Sequence, residues 1–250
     1  MTEKTLGIYV PSYHRYDCIK TDKILNDCTY VVRESEKDHY IAAGVRKVLA
    51  APDGEIDSLP KIRQWIIDNT PEDIVVQIDD DIDRFSYVNK NNMVVITDRD
   101  TIDAELIRVA QILSDLSLGF ASIRMQESVI KYNEEFRFQS TIGLVCWFNK
   151  SCLKGRYDPE VKFKADTDFQ LQELLKNRVI IVPEYLRAKA KYDKNKGGNN
   201  VSKNSTAVAS TVEYLKNKWG THPLGTREEI GSSLAGFQRP CSTTRNSPNL

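Results

Sequence analysis

The sequence lacks the patterns that indicate a membrane span, a secretion signal or a cysteine-based site. No run reaches the roughly 18 consecutive apolar residues that a membrane helix needs. The first ten residues do not have the charged-then-apolar layout of a signal peptide. The five cysteines are odd in number and form no C-x-x-C pair, so neither a disulfide framework nor a cysteine zinc site is indicated. We therefore expect a cytoplasmic protein without a membrane association.

The sequence also has no net charge, but its charged residues are unevenly placed. Between Glu72 and Glu105 there are ten acidic and three basic residues, a net charge of −7. Between Lys150 and Lys203 there are thirteen basic and seven acidic residues, a net charge of +6. An acidic centre suits a cation, and a basic segment suits phosphates on a nucleotide or a polynucleotide. Two solvated faces of opposite charge are the simpler alternative.

Short apolar segments alternate along the chain with segments of helical period. The candidate strands, rich in β-branched and aromatic residues, are Leu6–Val10, Tyr30–Val32, Lys47–Ala50, Ile74–Ile78, Phe120–Ile123, Ile142–Phe148 and Val179–Val182. The candidate helices are Ser58–Asp68, Thr101–Leu118 and Phe169–Lys176. This alternation predicts an α/β fold with a mostly parallel central sheet flanked by helices. We expect one domain over residues 1–220 and a loosely packed tail over 221–250, where apolar residues are few.

The most informative segment places three aspartates directly after a predicted buried strand. Asp79, Asp80 and Asp81 follow Ile74–Ile78, and ligands of open α/β sheets bind beyond the carboxyl ends of the strands. Three adjacent carboxylates repel one another, and Mg²⁺ or Mn²⁺ relieves this repulsion because these cations take oxygen ligands. If strand geometry persists, Asp79 and Asp81 point the same way and Asp80 points to the other side. An exposed acidic loop is the alternative.

The order of these segments resembles that of GT-A glycosyltransferases over about residues 5–195. The stretches that carry the resemblance are IYVPSYHRYD, TYVVRESE, VLAAP with LPKIRQWIIDN, QIDDDI as the D-x-D strand, and VKFKADTDFQLQELL. A further stretch, AKYDKNKGGNN, resembles a smaller branch, the phage TET-associated glycosyltransferases, which is linked with sugar addition to hydroxymethylated pyrimidines in DNA. The resemblance implies a GT-A-like, Rossmann-type sheet, a UDP-sugar or other nucleotide-sugar donor, and a Mn²⁺ or Mg²⁺ cofactor. It also implies DNA as the acceptor and, for a phage protein, action in the host cytoplasm.

The resemblance implies a metal site built around the aspartates. Asp81 is the first choice for the direct metal ligand, and Asp79 for a contact with ribose or with a metal-bound water. Asp80 could take either role. His222, one of three histidines, is a candidate for completing the metal shell, because GT-A enzymes often use a late histidine there. A surface histidine before Pro223 is the alternative.

The resemblance also implies a nucleotide-binding loop after the first strand. The residues expected to line the nucleotide are Pro11, Ser12, Tyr13, His14 and Arg15. Tyr13 can stack on the base, and Arg15 can reach a phosphate, whereas His14 could equally be an exposed loop histidine. Arg63, in the helix before the aspartates, could contact base or ribose or lie on a solvated helix face.

Two further groups are expected near the acceptor. Asp166 and Asp168 lie where helical periodicity begins, and we favour Asp168 as the general base that deprotonates an acceptor hydroxyl if the reaction inverts the anomeric centre. Helix capping alone would explain one of the two. A basic glycine-containing loop could close over the donor or contact a DNA backbone, because glycines let backbone N–H groups approach phosphates. Its residues are Lys191, Lys194, Lys196, Gly197 and Gly198.

Two other functions fit parts of the sequence. A metal phosphohydrolase with an aspartate nucleophile also carries D-x-D after a strand, although Ile82 stands where a hydroxyl residue is often found. A non-catalytic nucleic-acid-binding module would explain the basic segment alone. For a glycosyltransferase, a glycan, lipid or protein acceptor is the alternative to DNA.

Overall fold

The structure is a computed structural model that describes residues 4–89, 92–124, 134–138, 140, 142–190 and 205–220. The strands are β1 (Leu6–Pro11), β2 (Thr29–Arg33), β3 (Val48–Ala51), β4 (Ile74–Ile78), β5 (Ile82–Asn89), β6 (Asn92–Ile96), β7 (Phe120–Arg124), β8 (Phe136–Arg137), β9 (Ile142–Asn149), β10 (Val182–Pro183) and β11 (Leu186–Ala190). The helices are α1 (Lys37–Ala42), α2 (Leu59–Asn69), α3 (Arg99–Asp115), α4 (Ala165–Asn177) and α5 (Ser205–Trp219). None of the helices in these ranges is long and apolar enough to cross a bilayer.

Six strands form the central sheet in the order β3-β2-β1-β4-β9-β7. The pairs from β3 to β4 are parallel, and β9 runs antiparallel to both β4 and β7. Five of the six strands therefore run in one direction, which confirms the predicted mostly parallel sheet. The predicted strand at Val179–Val182 is the exception, because only Val182 belongs to a ladder, the short β8–β10 pair.

Both faces of the central sheet are covered by apolar side chains. Val10 and Val76 share one core cluster with the buried residues of α3. Their sequence neighbours Tyr9 and Val75 share the other cluster with residues of α2 and α4. Because successive side chains of a strand point to opposite faces, nearly continuous apolar strands are what this two-sided burial requires.

A second sheet with the order β11-β5-β6 packs beside the first. Its three strands are antiparallel and were not predicted from the sequence. The physical reason is that β5 mixes buried Ile82 and Phe85 with charged Asp83 and Arg84, so that no continuous apolar run marks it. Because β5 begins directly after the three aspartates, this sheet fixes where the aspartates can lie.

The helices agree with the sequence prediction in part. α2 and α3 form at the predicted segments, and the Asp98 side chain caps α3 by accepting a hydrogen bond from the backbone N–H of Thr101. α4 begins at Ala165, four residues before the predicted start at Phe169. α1 and α5 were not predicted. The expected tail, residues 221–250, lies outside the described residues, so the domain boundary stays a prediction.

Candidate active site

A cleft of about 590 Å³ opens at the carboxyl ends of β1, β2 and β4. Ligands of open α/β sheets are expected at this edge. The cleft is lined by parts of residues 56–62 and 159–162 and by Pro11, Ser12, Tyr13, Arg15, Arg33, Asp79, Asp80 and Asp81. Four of the five residues of the predicted nucleotide loop and the three aspartates are therefore brought together in one cavity.

The aspartates lie in a tight turn between the two sheets. All five residues of β4 are buried, and its ladder with β9 ends where the Asp79 N–H donates to the Leu144 carbonyl oxygen at 2.8 Å. The chain then turns at residues 80 and 81 and enters β5 at Ile82. Thr21 holds this turn, because its hydroxyl donates to the Asp79 carbonyl oxygen at 2.7 Å and accepts from the Ile82 N–H at 3.2 Å. The sequence reasoning missed Thr21.

Asp80 and Asp81 share one arginine. Asp80 is buried and accepts hydrogen bonds from the Ser12 hydroxyl at 2.5 Å and from the Arg15 guanidinium. The same Arg15 Nη1 lies 3.1 Å from Asp81 Oδ2. The expectation that Asp80 points away from Asp81 is wrong, because strand alternation stops at Ile78. Burial raises the pKa of Asp80, and Arg15 and Ser12 oppose that rise.

Asp79 has a different partner. Arg63 is 4% exposed, and its Nη2 lies 2.8 Å from Asp79 Oδ1 while its Nη1 donates to Asp166. The Tyr157 hydroxyl is 3.4 Å from the same Nη1. Arg63 therefore does not lie on a solvated helix face, and it is not among the residues that line the cleft. It holds Asp79 and Asp166 in place relative to each other.

The carboxylates at this end of the cleft favour a cation. Burial raises the pKa of Asp79 to about 7, and the charges of Asp81 and Asp166 add to the rise although Arg63 opposes it. Among the described residues no group of three or more His, Cys, Asp or Glu side chains forms a protein-only metal site. Mg²⁺ usually takes only one or two protein carboxylates and completes its shell with waters and substrate phosphates. Asp79 and Asp81 fit that arrangement, and His222 lies outside the described residues.

An aromatic side chain, Tyr13, and a cationic one, Arg33, also line the cleft. The Arg33 guanidinium carbon lies 4.1 Å from the centre of the Tyr13 ring. The sequence reasoning missed Arg33, although it ends the strand next to β1, at the edge where ligands are expected. His14 does not line the cleft; its Nδ1 lies 2.5 Å from Glu36 Oε1, and its side chain is 48% exposed.

The structure contradicts the choice of Asp168 as general base. Asp168 is 1% exposed, and its Oδ1 accepts from the Trp219 Nε1–H at 2.7 Å and lies 3.0 Å from Lys218 Nζ. Residues two apart on a helix differ by about 200° in direction, so Asp168 faces α5 when Asp166 faces Arg63. Asp166 is 27% exposed and is joined to Asp79 through Arg63. Asp166 is thus the better-placed carboxylate.

The predicted basic loop is not among the described residues. Lys191, Lys194, Lys196, Gly197 and Gly198 all fall within residues 191–204. Their expected contacts with a donor or a DNA backbone stay predictions.

The fold is that of solved GT-A-type proteins, at low sequence identity. Glucosyl-3-phosphoglycerate synthase from Mycobacterium tuberculosis, solved with Mn²⁺, UDP and glucosyl-3-phosphoglycerate, is 12% identical with a TM-score of 0.53, covering 87% of this chain and 80% of that one. Mannosyl-3-phosphoglycerate synthase from Rubrobacter xylanophilus is 12% identical with a TM-score of 0.51, covering 87% and 75%. S. aureus TarS 1-349 in complex with UDP-GlcNAc is 13% identical with a TM-score of 0.50, covering 85% and 67%. This chain spans 59% of another TarS 1-349 structure. No protein-family model and no curated protein matches the sequence.

Proposed function

We propose that this protein is a metal-dependent glycosyltransferase that moves a sugar from a nucleotide-diphosphate sugar to a hydroxyl acceptor. The observation that carries the proposal is the cleft at the ends of β1, β2 and β4, which Asp79, Asp81 and Tyr13 line together with Arg15, the partner of Asp81. The aromatic ring suits a nucleotide base. The guanidinium suits a phosphate, and the carboxylates suit a divalent cation. A UDP-sugar is the first choice of donor, since structural neighbours were solved with UDP or UDP-GlcNAc.

The donor contacts follow from the positions of the side chains. Tyr13, backed by Arg33, stacks on the nucleotide base, and Arg15 binds a phosphate oxygen. Asp81 would hold Mn²⁺ or Mg²⁺ directly, and Asp79 would contact the ribose or a water of the cation. A cation held there would neutralise the charge of the diphosphate leaving group.

In the proposed transfer step, Asp166 acts as the general base. The acceptor oxygen attacks the anomeric carbon, the bond from that carbon to the diphosphate oxygen breaks, and the acceptor proton moves to the Asp166 carboxylate. This assignment holds for an inverting displacement. Arg63 orients Asp166 and Asp79 through its two terminal nitrogens. A positioned base of this kind contributes roughly 10²–10⁴-fold to rate.

The proposed acceptor is a hydroxymethylated pyrimidine in DNA, and the proposed place of action is the cytoplasm, of the host if the protein is phage-encoded. The acceptor proposal is supported by the AKYDKNKGGNN stretch and by the basic later segment. A glycan, lipid or protein hydroxyl is the alternative acceptor.

The test is mass spectrometry of nucleosides after incubation of hydroxymethylated DNA with Mn²⁺ and a panel of sugar nucleotides. A nucleoside heavier by one hexose or pentose, formed by the wild-type protein and not by Asp81→Ala, is the expected result. An unchanged nucleoside pool across the panel contradicts the DNA acceptor. A phosphoaspartate without any sugar product contradicts the glycosyltransferase and supports a phosphohydrolase.

A further inference from the structure

One nitrogen of Arg15 contacts two of the three aspartates. Arg15 Nη1 donates to Asp80 Oδ1 and lies 3.1 Å from Asp81 Oδ2. The side chains of Arg15 and Asp81 are 13% and 14% exposed, so their ion pair lies partly shielded from water at the lining of the cleft. Asp81 is also the residue proposed to hold the divalent cation. A positive group of the protein therefore contacts the carboxylate that the cation would use.

The backbone of Arg15 and the Asp80 side chain are both held by other groups. The Ser12 hydroxyl donates to Asp80 Oδ2 at 2.5 Å and lies 2.7 Å from the Tyr40 hydroxyl. The same Tyr40 hydroxyl accepts from the Arg15 backbone N–H at 3.1 Å. Tyr40 is fully buried, so this arrangement is anchored in the core. A change of partner by the Arg15 guanidinium therefore needs movement of its side chain only.

Arg15 has hydrogen-bond donors that its ion pairs do not use. An arginine side chain carries five N–H donors in a planar fork. Nη1 serves both aspartates, whereas the buried Nε of Arg15 has no hydrogen-bond partner among the residues that the structure describes. Phosphate oxygens accept two parallel hydrogen bonds from one guanidinium. A diphosphate in the cleft that Arg15 lines would supply acceptors for the unused donors.

A divalent cation and Arg15 compete for Asp81. Both are positively charged, and charges within a few ångströms interact more strongly in a shielded cleft than in bulk water. A cation bound to Asp81 therefore repels the Arg15 guanidinium from Oδ2. Asp81 has a further interaction as well, but the repulsion acts on Arg15 whatever that interaction is. A diphosphate would relieve the repulsion, because its negative charge attracts both the cation and Arg15.

We propose that Arg15 couples metal binding to nucleotide binding by exchanging Asp81 for a phosphate of the donor. Arg15 pairs with Asp81 until a nucleotide diphosphate arrives, and then its guanidinium passes to the diphosphate while the cation takes Asp81. Binding of the cation alone is thereby disfavoured, and the cation and the nucleotide bind cooperatively. The identity of the diphosphate rests on the proposed function, whereas the competition between Arg15 and a cation at Asp81 does not.

The test is titration of Mn²⁺ with and without UDP, followed by the electron paramagnetic resonance signal of free Mn²⁺. Arg15→Gln removes the charge and keeps a polar side chain. We expect its affinity for Mn²⁺ alone to rise by about tenfold, because the competing cation is gone. The factor by which UDP raises the Mn²⁺ affinity should fall by about tenfold or more, and the factor by which Mn²⁺ raises the UDP affinity must fall equally.

A gain in Mn²⁺ affinity cannot come from a variant that fails to fold. Arg15→Met is a second neutral variant, which gives the same comparison if Arg15→Gln does not fold. Binding of Mn²⁺ alone that is no tighter in the folded neutral variant than in the wild type overturns the proposal.

Two control variants separate direct competition from a general effect of charge. Arg15→Lys keeps the positive charge and should keep the lower affinity for Mn²⁺ alone. Lys20→Gln removes a positive charge from the same loop after β1, where Lys20 Nζ lies 2.8 Å from Asp83 Oδ1. It should change the affinity for Mn²⁺ alone by less than about threefold, because the more distant charge is screened by solvent. Equal gains in Lys20→Gln and Arg15→Gln contradict the competition at Asp81.

The same titrations separate the role of Arg15 from the proposed function. Tighter binding of Mn²⁺ alone in Arg15→Gln, in a protein that binds no UDP, leaves the competition at Asp81 standing and removes the proposed function. Mn²⁺-dependent UDP binding with the same coupling factor in the wild type and in Arg15→Gln leaves the proposed function standing and removes the role of Arg15.

Discussion

Asp79, Asp80 and Asp81 are the same type of residue, but their surroundings differ. Asp79 pairs with Arg63, whereas Asp80 and Asp81 share Arg15. The sequence was sufficient to predict that this run ends a buried strand, and the structure shows that the run lines the cleft. It was not sufficient to predict the pairing, because the turn at residues 80 and 81 leads into β5, whose mixture of charged and apolar residues gives no continuous apolar run.

The two aspartates at the start of α4 should respond differently to substitution. If Asp166 is the proposed proton acceptor, Asp166→Asn should lower sugar transfer by about 10²-fold or more while UDP binding persists. Asp168→Ala should lower the free energy of unfolding by roughly 1–3 kcal/mol, because it leaves the Trp219 N–H without its buried acceptor, while Lys218 keeps Asp158 as a partner. Turnover assays and urea unfolding measure the two effects. A stable Asp168→Ala variant without turnover would restore Asp168 as the base.

The raised pKa of Asp79 predicts a pH dependence of the metal-free protein. The folded pKa of about 7 lies above the ordinary value of 3.8, so between these values the folded state holds a proton that the unfolded state releases. The free energy of unfolding should therefore fall as pH rises through this window. Asp79→Asn should flatten that fall, which denaturant unfolding in EDTA at pH 5 and pH 7.5 measures. Equal slopes in the wild type and the variant would show that the Asp79 pKa is not raised.

Among the secondary-structure elements, α5 shows a signal that the sequence reasoning overlooked. Val208, Val212, Leu215 and Trp219 recur at helical spacing within Ser205–Trp219. Leu215 is fully buried against the face of the central sheet that α2 and α4 cover. This helical period was overlooked because the segment lies between two stretches that contain few apolar residues. By contrast, β5 of the second sheet has charged residues between its buried apolar ones and gives no continuous apolar run.

The docking of α5 on α4 gives a prediction of its own. Trp219→Phe removes the indole N–H that Asp168 accepts and keeps the aromatic packing, so it should cost about 1–2 kcal/mol in the free energy of unfolding. Tyr214→Phe is the control, because it removes a hydrogen bond to Asp158 at an exposed position and should cost no more than about 0.5 kcal/mol. Urea unfolding measures both variants. Equal stability of the two would mean that Trp219 does not anchor the helix through its N–H.

For the molecule as a whole, the sequence predicted the central sheet, whose edge carries the cleft, better than it predicted the second sheet. Six of the seven predicted strands lie in the central sheet, because strands buried on both faces appear as continuous apolar runs. One edge of that sheet carries the cleft, where the ends of β1, β2 and β4 lie side by side. Such long-range juxtaposition follows from strand order, which the local pattern of residues does not encode.

The central claim is that the aspartates hold a nucleotide diphosphate through a divalent cation. The most direct measurement is calorimetric titration of UDP with Mn²⁺ or with EDTA, using Asp81→Ala and the control Asp115→Ala, an exposed aspartate at the end of α3. We predict UDP binding that requires Mn²⁺, weakens by about tenfold or more in Asp81→Ala, and is retained in Asp115→Ala. Absence of UDP binding at millimolar ligand, or binding that neither EDTA nor Asp81→Ala diminishes, would contradict the claim.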